Sequence, residues 1–184
     1  MRKTIFLIIT LSAIITLVSC EKEEKDSKVL ATIGAQSNTT TGGYYSVSKK
    51  KVYTQSEAFA DQGSIDILSF YELEGGNNIA LAGPGSGITG IFTGDDAPEN
   101  WTTQNETFFL ITALTAAQFD ALVETDALIE TSFVEADARR KAKDMQVGMV
   151  VSFKTADGTF GLLKVLEVVQ GADGKVKFEV KIKK

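Results

Sequence analysis

GMVVSFKTADGTFGLLKVLEVVQGADGKVKFEVKIKK, residues 148–184, is the stretch whose reading decides the fold. Val176, Phe178, Val180 and Ile182 alternate strictly with Lys177, Glu179, Lys181 and Lys183. Side chains two apart share a face of a strand, so this pattern predicts a half-buried strand with a solvated basic face. Phe160–Val169 reads as a second strand and Gly148–Lys154 as a third. Ala156-Asp157-Gly158 and Gly171-Ala172-Asp173-Gly174 supply the tight turns between them. Three strands joined by short turns make an antiparallel meander.

Upstream, Val29–Ile33 is a predicted strand, followed by a polar loop from Gly34 to Gly43. Tyr44–Val47 and Lys51–Tyr53 are short strand candidates. Thr54-Gln55-Ser56-Glu57 has capping-box spacing and predicts a helix over 55–61 that buries Ala58 and Phe59 and stops on a left-handed Gly63. Ile65–Tyr71 is expected as a central strand, with Ile65, Ile67 and Ser69 on one face and Leu68 and Phe70 on the other. After a turn at residues 75–78 comes Ile79–Ala82, then GPGSG at 83–87, a surface turn. Phe108–Ile111 leads into a second capping box, Thr115–Gln118, and a helix whose inward face is Phe119, Leu122 and Val123. Leu128, Ile129 and Phe133 extend a further helix that fades into polar residues 135–143. Helices lying mainly between two sets of strands predict an α+β fold: a largely antiparallel sheet, two or three short helices and the C-terminal meander.

The N-terminus has another character. Arg2 and Lys3 precede the apolar run Ile5–Val18, and the chain's one cysteine follows in Leu17-Val18-Ser19-Cys20. Fourteen residues broken by Thr10, Ser12 and Thr16 are too few to span a bilayer, which takes about 20. The layout is that of an export signal. Leu-Val-Ser-Cys resembles the lipobox of bacterial lipoproteins. The resemblance implies cleavage after Ser19, acylation of Cys20 and a membrane partner reached through that lipid. EKEEKDSK, residues 21–28, is a hydrated tether by composition. Its acidic run resembles the surface-export signal of Bacteroidota lipoproteins, which implies an outer-membrane protein facing outward, the alternative being one facing the periplasm. The expected organisation is a signal peptide at 1–19, an acylated cysteine and tether at 20–28, and one extracytoplasmic domain at 29–184. The second half resembles small uncharacterised surface lipoproteins of Bacteroidota, a likeness that names no activity.

Composition excludes much. The 184 residues carry a net charge of −5 and no histidine, and loss of Arg2 and Lys3 with the leader makes the chain more acidic still. An acidic, mixed surface argues against nucleic acid as a partner. Without histidine there is no Ser-His-Asp or Cys-His nucleophile and no imidazole-ligated zinc. With Cys20 committed to lipid, thiolate chemistry goes as well. No cofactor is expected.

GPGSGITG at 83–90 lacks the Lys-Ser/Thr of a phosphate loop, and Pro84 removes an N–H such a loop would use. Asp95, Asp96 and Glu99 offer hard oxygen ligands but not EF-hand spacing, so they are weak metal candidates in a solvated loop. Lys49-Lys50-Lys51 is a solvated turn. Carboxylate pairs can hydrolyse glycosides without histidine, yet Asp66 and Glu72, at the two edges of one apolar strand, do not nominate a general acid. Tyr44, Tyr45 and Trp101 sit in polar, glycine-rich surroundings and are the candidate ligand-binding residues. For Trp101 burial in the core is the reading that stays ahead. The expected role is noncatalytic: binding of a glycan, peptide or envelope protein, or, as the alternative, service as an accessory subunit of a surface complex. A carboxylate-dependent glycoside hydrolase stands third.

Overall fold

The computed structural model describes residues 28–73, 76 and 78–184; the leader, Cys20 and the tether up to residue 27 lie outside them. The elements, in chain order, are β1 (Val29–Gly34), β2 (Tyr44–Ser46), β3 (Lys51–Tyr53), α1 (Gln55–Ala60), β4 (Ile67–Glu72), β5 (Asn78–Ala82), β6 (Phe108–Ile111), α2 (Ala116–Ala121), α3 (Leu128–Thr131), β7 (Lys141–Ala142), β8 (Val150–Lys154), β9 (Phe160–Val169) and β10 (Lys175–Ile182). The strands form two five-stranded antiparallel sheets, ordered β1-β10-β9-β8-β6 and β3-β2-β4-β5-β7. The fold is α+β, and the C-terminal meander is present as β8-β9-β10.

One apolar core, filled by alternate residues of both sheets, lies between them. Ala31 and Ile33 of β1, Tyr45 of β2, Ile67 of β4, Ile79 and Leu81 of β5 meet Phe109, Val151, Phe153, Leu163, Val165, Val176, Phe178 and Val180. At one edge the layers join by an exchange in which Phe109 N–H donates to Arg139 O at 2.7 Å and Arg139 N–H to Phe109 O at 2.8 Å. Gly161 faces Phe153 across the β8–β9 ladder. A Cβ there would come within 2.3 Å of the Phe153 ring, so the missing side chain is what lets a buried ring lie flat over the strand.

Both outer faces are also covered, which strict alternation did not predict. Leu68 and Phe70 of β4, Ala80 and Ala82 of β5 and Tyr44 of β2 pack under Ile88, Phe92, Ala97 and Trp101 from residues 88–101. Ile65 joins this second layer, so the expectation that it shares a face with Ile67 is corrected: β4 starts at Ile67, and Ile65 lies before the pleat begins. On the other sheet, Val150 and Leu162 pack under Phe119 and Ile129 of α2 and α3. The solvated basic face expected of β10 is corrected as well, because Glu179 is 3% exposed and Lys181 is half-buried. Lys164 and Lys28 meet Glu179, and the carbonyls at the C-terminal end of α2 take up the Lys181 ammonium.

Both capping boxes form, Thr54 with Glu57 and Thr115 with Gln118, but the helices are shorter than their apolar spacing suggested. α1 ends at Asp61, and Gly63 lies in a following 3₁₀ turn without positive φ; Phe59 is exposed. α2 ends at Leu122 in extended backbone, which turns Val123 out into solvent. Ile129 is buried and Leu128 exposed, while Phe133 packs edge-on against Phe160. The polar stretch 135–143 contains β7, whose Ala142 pairs with Leu81. The 83–87 turn is not all surface: Gly83 and Pro84 are buried, and Gly85 N–H donates to Asn105 O at 2.9 Å.

Candidate functional site

The aromatic candidates are buried. β2 lies between β3 and β4 in its sheet, so consecutive residues point to opposite, covered faces. Tyr45 turns inward, edge-on to Phe178 with centroids 5.7 Å apart. Tyr44 turns outward beneath Phe92 and Trp101, with centroids 5.7 and 5.5 Å away. Trp101 is 5% exposed, and its indole Nε1–H donates to the Asp96 carbonyl at 2.8 Å. The exposed cluster that a binding role for Trp101, Tyr44 and Tyr45 would need is not formed: Tyr44 and Trp101 come together as the core of the covering layer, which is the burial reading of Trp101. Their polar sequence neighbours are turns around that layer.

The acidic loop is organised around the same rings. Asp96 Oδ1 accepts from Gln55 Nε2 at 2.6 Å, and Gln55 Oε1 accepts from the Tyr44 hydroxyl at 3.3 Å. Glu99 Oε2 accepts from Gly90 N–H at 2.7 Å, and Asp95 is exposed. The three carboxylates thus serve separate ends, and no cluster of three potential metal ligands occurs among the described residues. Burial, and after it the Asp96 carboxylate, push the Tyr44 hydroxyl far above its ordinary titration range. It stays a neutral phenol throughout the physiological range.

Above this relay lies a cleft of about 220 Å³, lined by Gln36, Asn38, Thr39, Thr40, Thr41 and Gly42 on one side and by Tyr44, Thr54, Gln55 and Phe92 on the other. None of its lining residues carries a charge. Asn38 builds the loop: its Oδ1 accepts from the N–H groups of Thr40 and Thr41, at 3.0 and 2.9 Å. Its Nδ2 donates to Asp173 O at 2.7 Å and Gly174 O at 3.0 Å, pinning the loop to the β9–β10 turn. Gly42 allows the loop to close against β3, since a Cβ would lie 2.2 Å from the Tyr53 carbonyl. Among the described residues the Thr39 and Thr41 hydroxyls have no hydrogen-bond partner. In the sequence, residues 34–43 read as a polar connecting loop. Its available signal was a run of amides and hydroxyls, AQSNTTTGG at 35–43, without one charge.

A second concavity, about 230 Å³, contrasts with it in chemistry. Lys28, Asp120, Glu124, Glu179 and Lys181 line it beside Val29 and the chain leaving α2. Glu179 Oε2 lies 3.1 Å from Lys164 Nζ and 3.3 Å from Lys28 Nζ, and Lys164 also contacts Asp120. Lys181 Nζ donates to the carbonyls of Phe119, Asp120 and Leu122, closing the C-terminal end of α2. These charges satisfy one another and the backbone. Asp66 and Glu72 do not converge. Asp66 accepts from Val47 N–H at 2.8 Å, while Glu72 pairs with Lys143 at 2.8 Å at the far end of β4. Six residues of extended chain separate them by roughly 20 Å, beyond the ~5–10 Å of a glycosidase pair.

No family model matches the chain, and no curated protein matches it. In fold it is similar to the crystal structure of a DUF4466 family protein from Parabacteroides merdae ATCC 43184. The TM-score is 0.57 at 16% sequence identity, over 84% of this chain and 53% of that one. The present chain thus spans about half the length of that protein, and what the two share is the fold.

Proposed function

We propose that the chain is an outer-membrane lipoprotein, held by a lipid on Cys20, whose folded part binds a ligand without catalysis through the uncharged cleft at residues 36–55. The observation that carries this reading is the cleft itself. It is a concavity with free hydroxyls, on a loop held in place by Asn38, over a layer of packed rings. Few convergent polar groups on a preformed surface are what a binding site needs. The lining carries no carboxylate, lysine or imidazole, and its one phenol, Tyr44, is buried and bonded to Gln55, which favours binding over acid–base chemistry.

The geometry of β1 is consistent with display. The chain enters this strand at Lys28, while the cleft starts beyond its other end, after Gly34. Six strand residues put about 20 Å between the two. A domain tethered through residues 20–28 would have its cleft and its anchor at opposite ends of that strand.

The test uses the full chain produced in a bacterial host that acylates lipoproteins. Wild-type protein is expected in the membrane fraction with lipid on Cys20 by mass spectrometry, and the Cys20→Ser form is expected to leave that fraction. Protease shaving of intact cells should remove the folded part if it faces outward. For the cleft, amide resonances of residues 38–55 are followed as envelope extracts are added. Retention of Cys20→Ser in the membrane would overturn the anchor, and shifts confined to residues away from the cleft would overturn the site.

A further inference from the structure

We infer that the ligand of the cleft is a single uncharged, hydroxyl-rich unit of monosaccharide size, such as the end of a neutral glycan chain. The inference rests on the reading of the cleft as a binding site and narrows its ligand class on three observations.

The first is charge. The lining carries no charged side chain, and its Gln36, Asn38 and Gln55 amides are already bonded within the protein. Threonine hydroxyls, which donate and accept alike, are therefore what face a ligand, and a charged ligand group would enter without a counter-ion. An anion would also meet the Asp96 carboxylate behind Gln55. Burying such a group unpaired is strongly unfavourable.

The second is the state of the backbone. A peptide that binds by extending a sheet needs free main-chain N–H and C=O groups along an edge. Here Gly34 N–H donates to Gly42 O, Ala35 N–H to Gly174 O, Ser37 N–H to Ala172 O and Asn38 N–H to Ala35 O. The N–H groups of Thr40 and Thr41 are held by Asn38. With these N–H groups engaged, the stretch does not present the free strand edge such a peptide uses, and the side-chain groups left for a ligand are chiefly the Thr39 and Thr41 hydroxyls. Mixed donor–acceptor hydroxyls match the hydroxyls of a sugar, which both give and take.

The third is size. At about 220 Å³ the cleft falls below the ~300–1,000 Å³ of sites that enclose drug-sized ligands. It holds one ring and leaves the rest of any chain in solvent. With the Tyr44 and Phe92 rings 2% and 6% exposed, little aromatic surface is available for stacking. Binding then rests on a few net hydrogen bonds, which places the dissociation constant at about 1 mM or weaker.

The experiment is an NMR titration of the protein with three probes: a neutral methyl hexoside, the corresponding uronic acid, and an uncharged end-capped tripeptide. The variant is Thr39→Val/Thr41→Val, which removes both hydroxyls and keeps the branched shape. These residues are at or near the surface, and a wild-type-like spectrum outside the loop verifies that the variant folds. The expected result is saturable shifts of Thr39, Thr41 and Gln55 amides with the hexoside, weaker shifts with the uronic acid, and roughly 3–10-fold weaker hexoside binding per lost hydroxyl. Tripeptide shifts at the cleft without hexoside shifts would overturn the ligand class while leaving the cleft a binding site. Tighter binding of the uronic acid would also overturn it. Absence of cleft shifts with all three probes and with envelope extract would overturn both readings together.

Discussion

The two sheets share one core but protect their outer faces by opposite means, and their two buried carboxylates show the difference. On the β1-β10-β9-β8-β6 sheet, Glu179 is met by Lys164 and Lys28. On the other sheet, Asp66 precedes β4 with a hydrogen bond from Val47 N–H and no ion pair among the described residues. The charged side is covered by short helices docked through Phe119 and Ile129 and fastened by lysines. The other side is covered by irregular chain whose contacts are aromatic. An outer face can thus be closed by matched charges or by apolar rings. The uncharged cleft lies on the side where rings and neutral amides do the closing.

Breaking the apolar cover should have the largest effect. Trp101→Ala removes a buried ring from Tyr44 and frees the Asp96 carbonyl of its indole donor. Aromatic-to-alanine changes in cores cost about 3–5 kcal/mol. Urea denaturation followed by far-UV circular dichroism should show a loss in that range, whereas Trp101→Phe should retain more than half of it. A loss below about 1 kcal/mol would mean that residues 88–101 contribute little to closing this sheet.

The charged side should respond differently. Lys164→Met leaves Glu179 buried with one more exposed partner, Lys28, and should cost about 3 kcal/mol, the low end of what removing one member of a buried pair costs. Lys164→Met combined with Glu179→Leu removes both charges, and paired apolar replacement is often neutral or stabilising. The double variant should therefore recover most of the loss of the single one. If it is instead as unstable as the single variant, the two sheets are not interchangeable in how they can be covered.

How far this was legible depends on the same contrast. The meander was readable because residues 176–183 alternate without a break and glycine-containing turns bracket every strand. The capping boxes were readable because Thr54–Glu57 and Thr115–Gln118 are short-range chemistry. What covers an outer face is decided by distant chain, and alternation cannot report it. Hence Glu179 reads as solvated though Lys164 and Lys28 meet it, and Tyr44 and Tyr45 read as candidate ligand contacts though both are buried. β7 escaped for a related reason, since two residues amid lysines become a strand only through the backbone of Leu81 and Ala82. The cleft was half legible. Tyr44 was singled out, but the Thr39 and Thr41 hydroxyls gain meaning only once Asn38 curls the loop toward α1.

Asp66 sharpens the comparison through pH. Burial raises its carboxyl from an ordinary 3.8 to about 6, with the Val47 N–H opposing the rise and Asp157 adding to it. The folded protein therefore holds this proton more tightly than the unfolded chain. Below about pH 4 the group is protonated in both states and costs nothing, and across pH 4–6 folding stability falls as the folded form is forced to ionise. At 1.36 kcal/mol per unit the full penalty is about 3 kcal/mol. Asp66→Asn abolishes it, so the stability of the variant relative to wild type should rise by about 2–3 kcal/mol between pH 4 and pH 7 in parallel urea titrations. A flat difference would show that Asp66 is hydrated or matched by charge, like Glu179.

The smallest expected effects test whether the two covers also differ locally. Thr54→Ala and Thr115→Ala delete the same interaction, a threonine oxygen accepting from the N–H of the residue three positions on, in helices of six residues each. Considered alone, each cap contributes about 1 kcal/mol. The two helices differ in what else holds them. α2 is fastened by Phe119 in a buried cluster and by Lys181 at its C-terminal end. α1 buries Ala58 and hydrogen-bonds to the 93–96 loop through the side chain of its first residue, Gln55. Loss of the Thr115 cap should therefore register as a global loss of about 1 kcal/mol, because α2 cannot fray without uncovering Phe119. Loss of the Thr54 cap should instead appear as faster amide exchange confined to residues 55–61, with a smaller change in global stability, and as looser positioning of Gln55 at the edge of the cleft. Equal global losses with no local change in exchange would place α1 as firmly in its sheet as α2 is in the other.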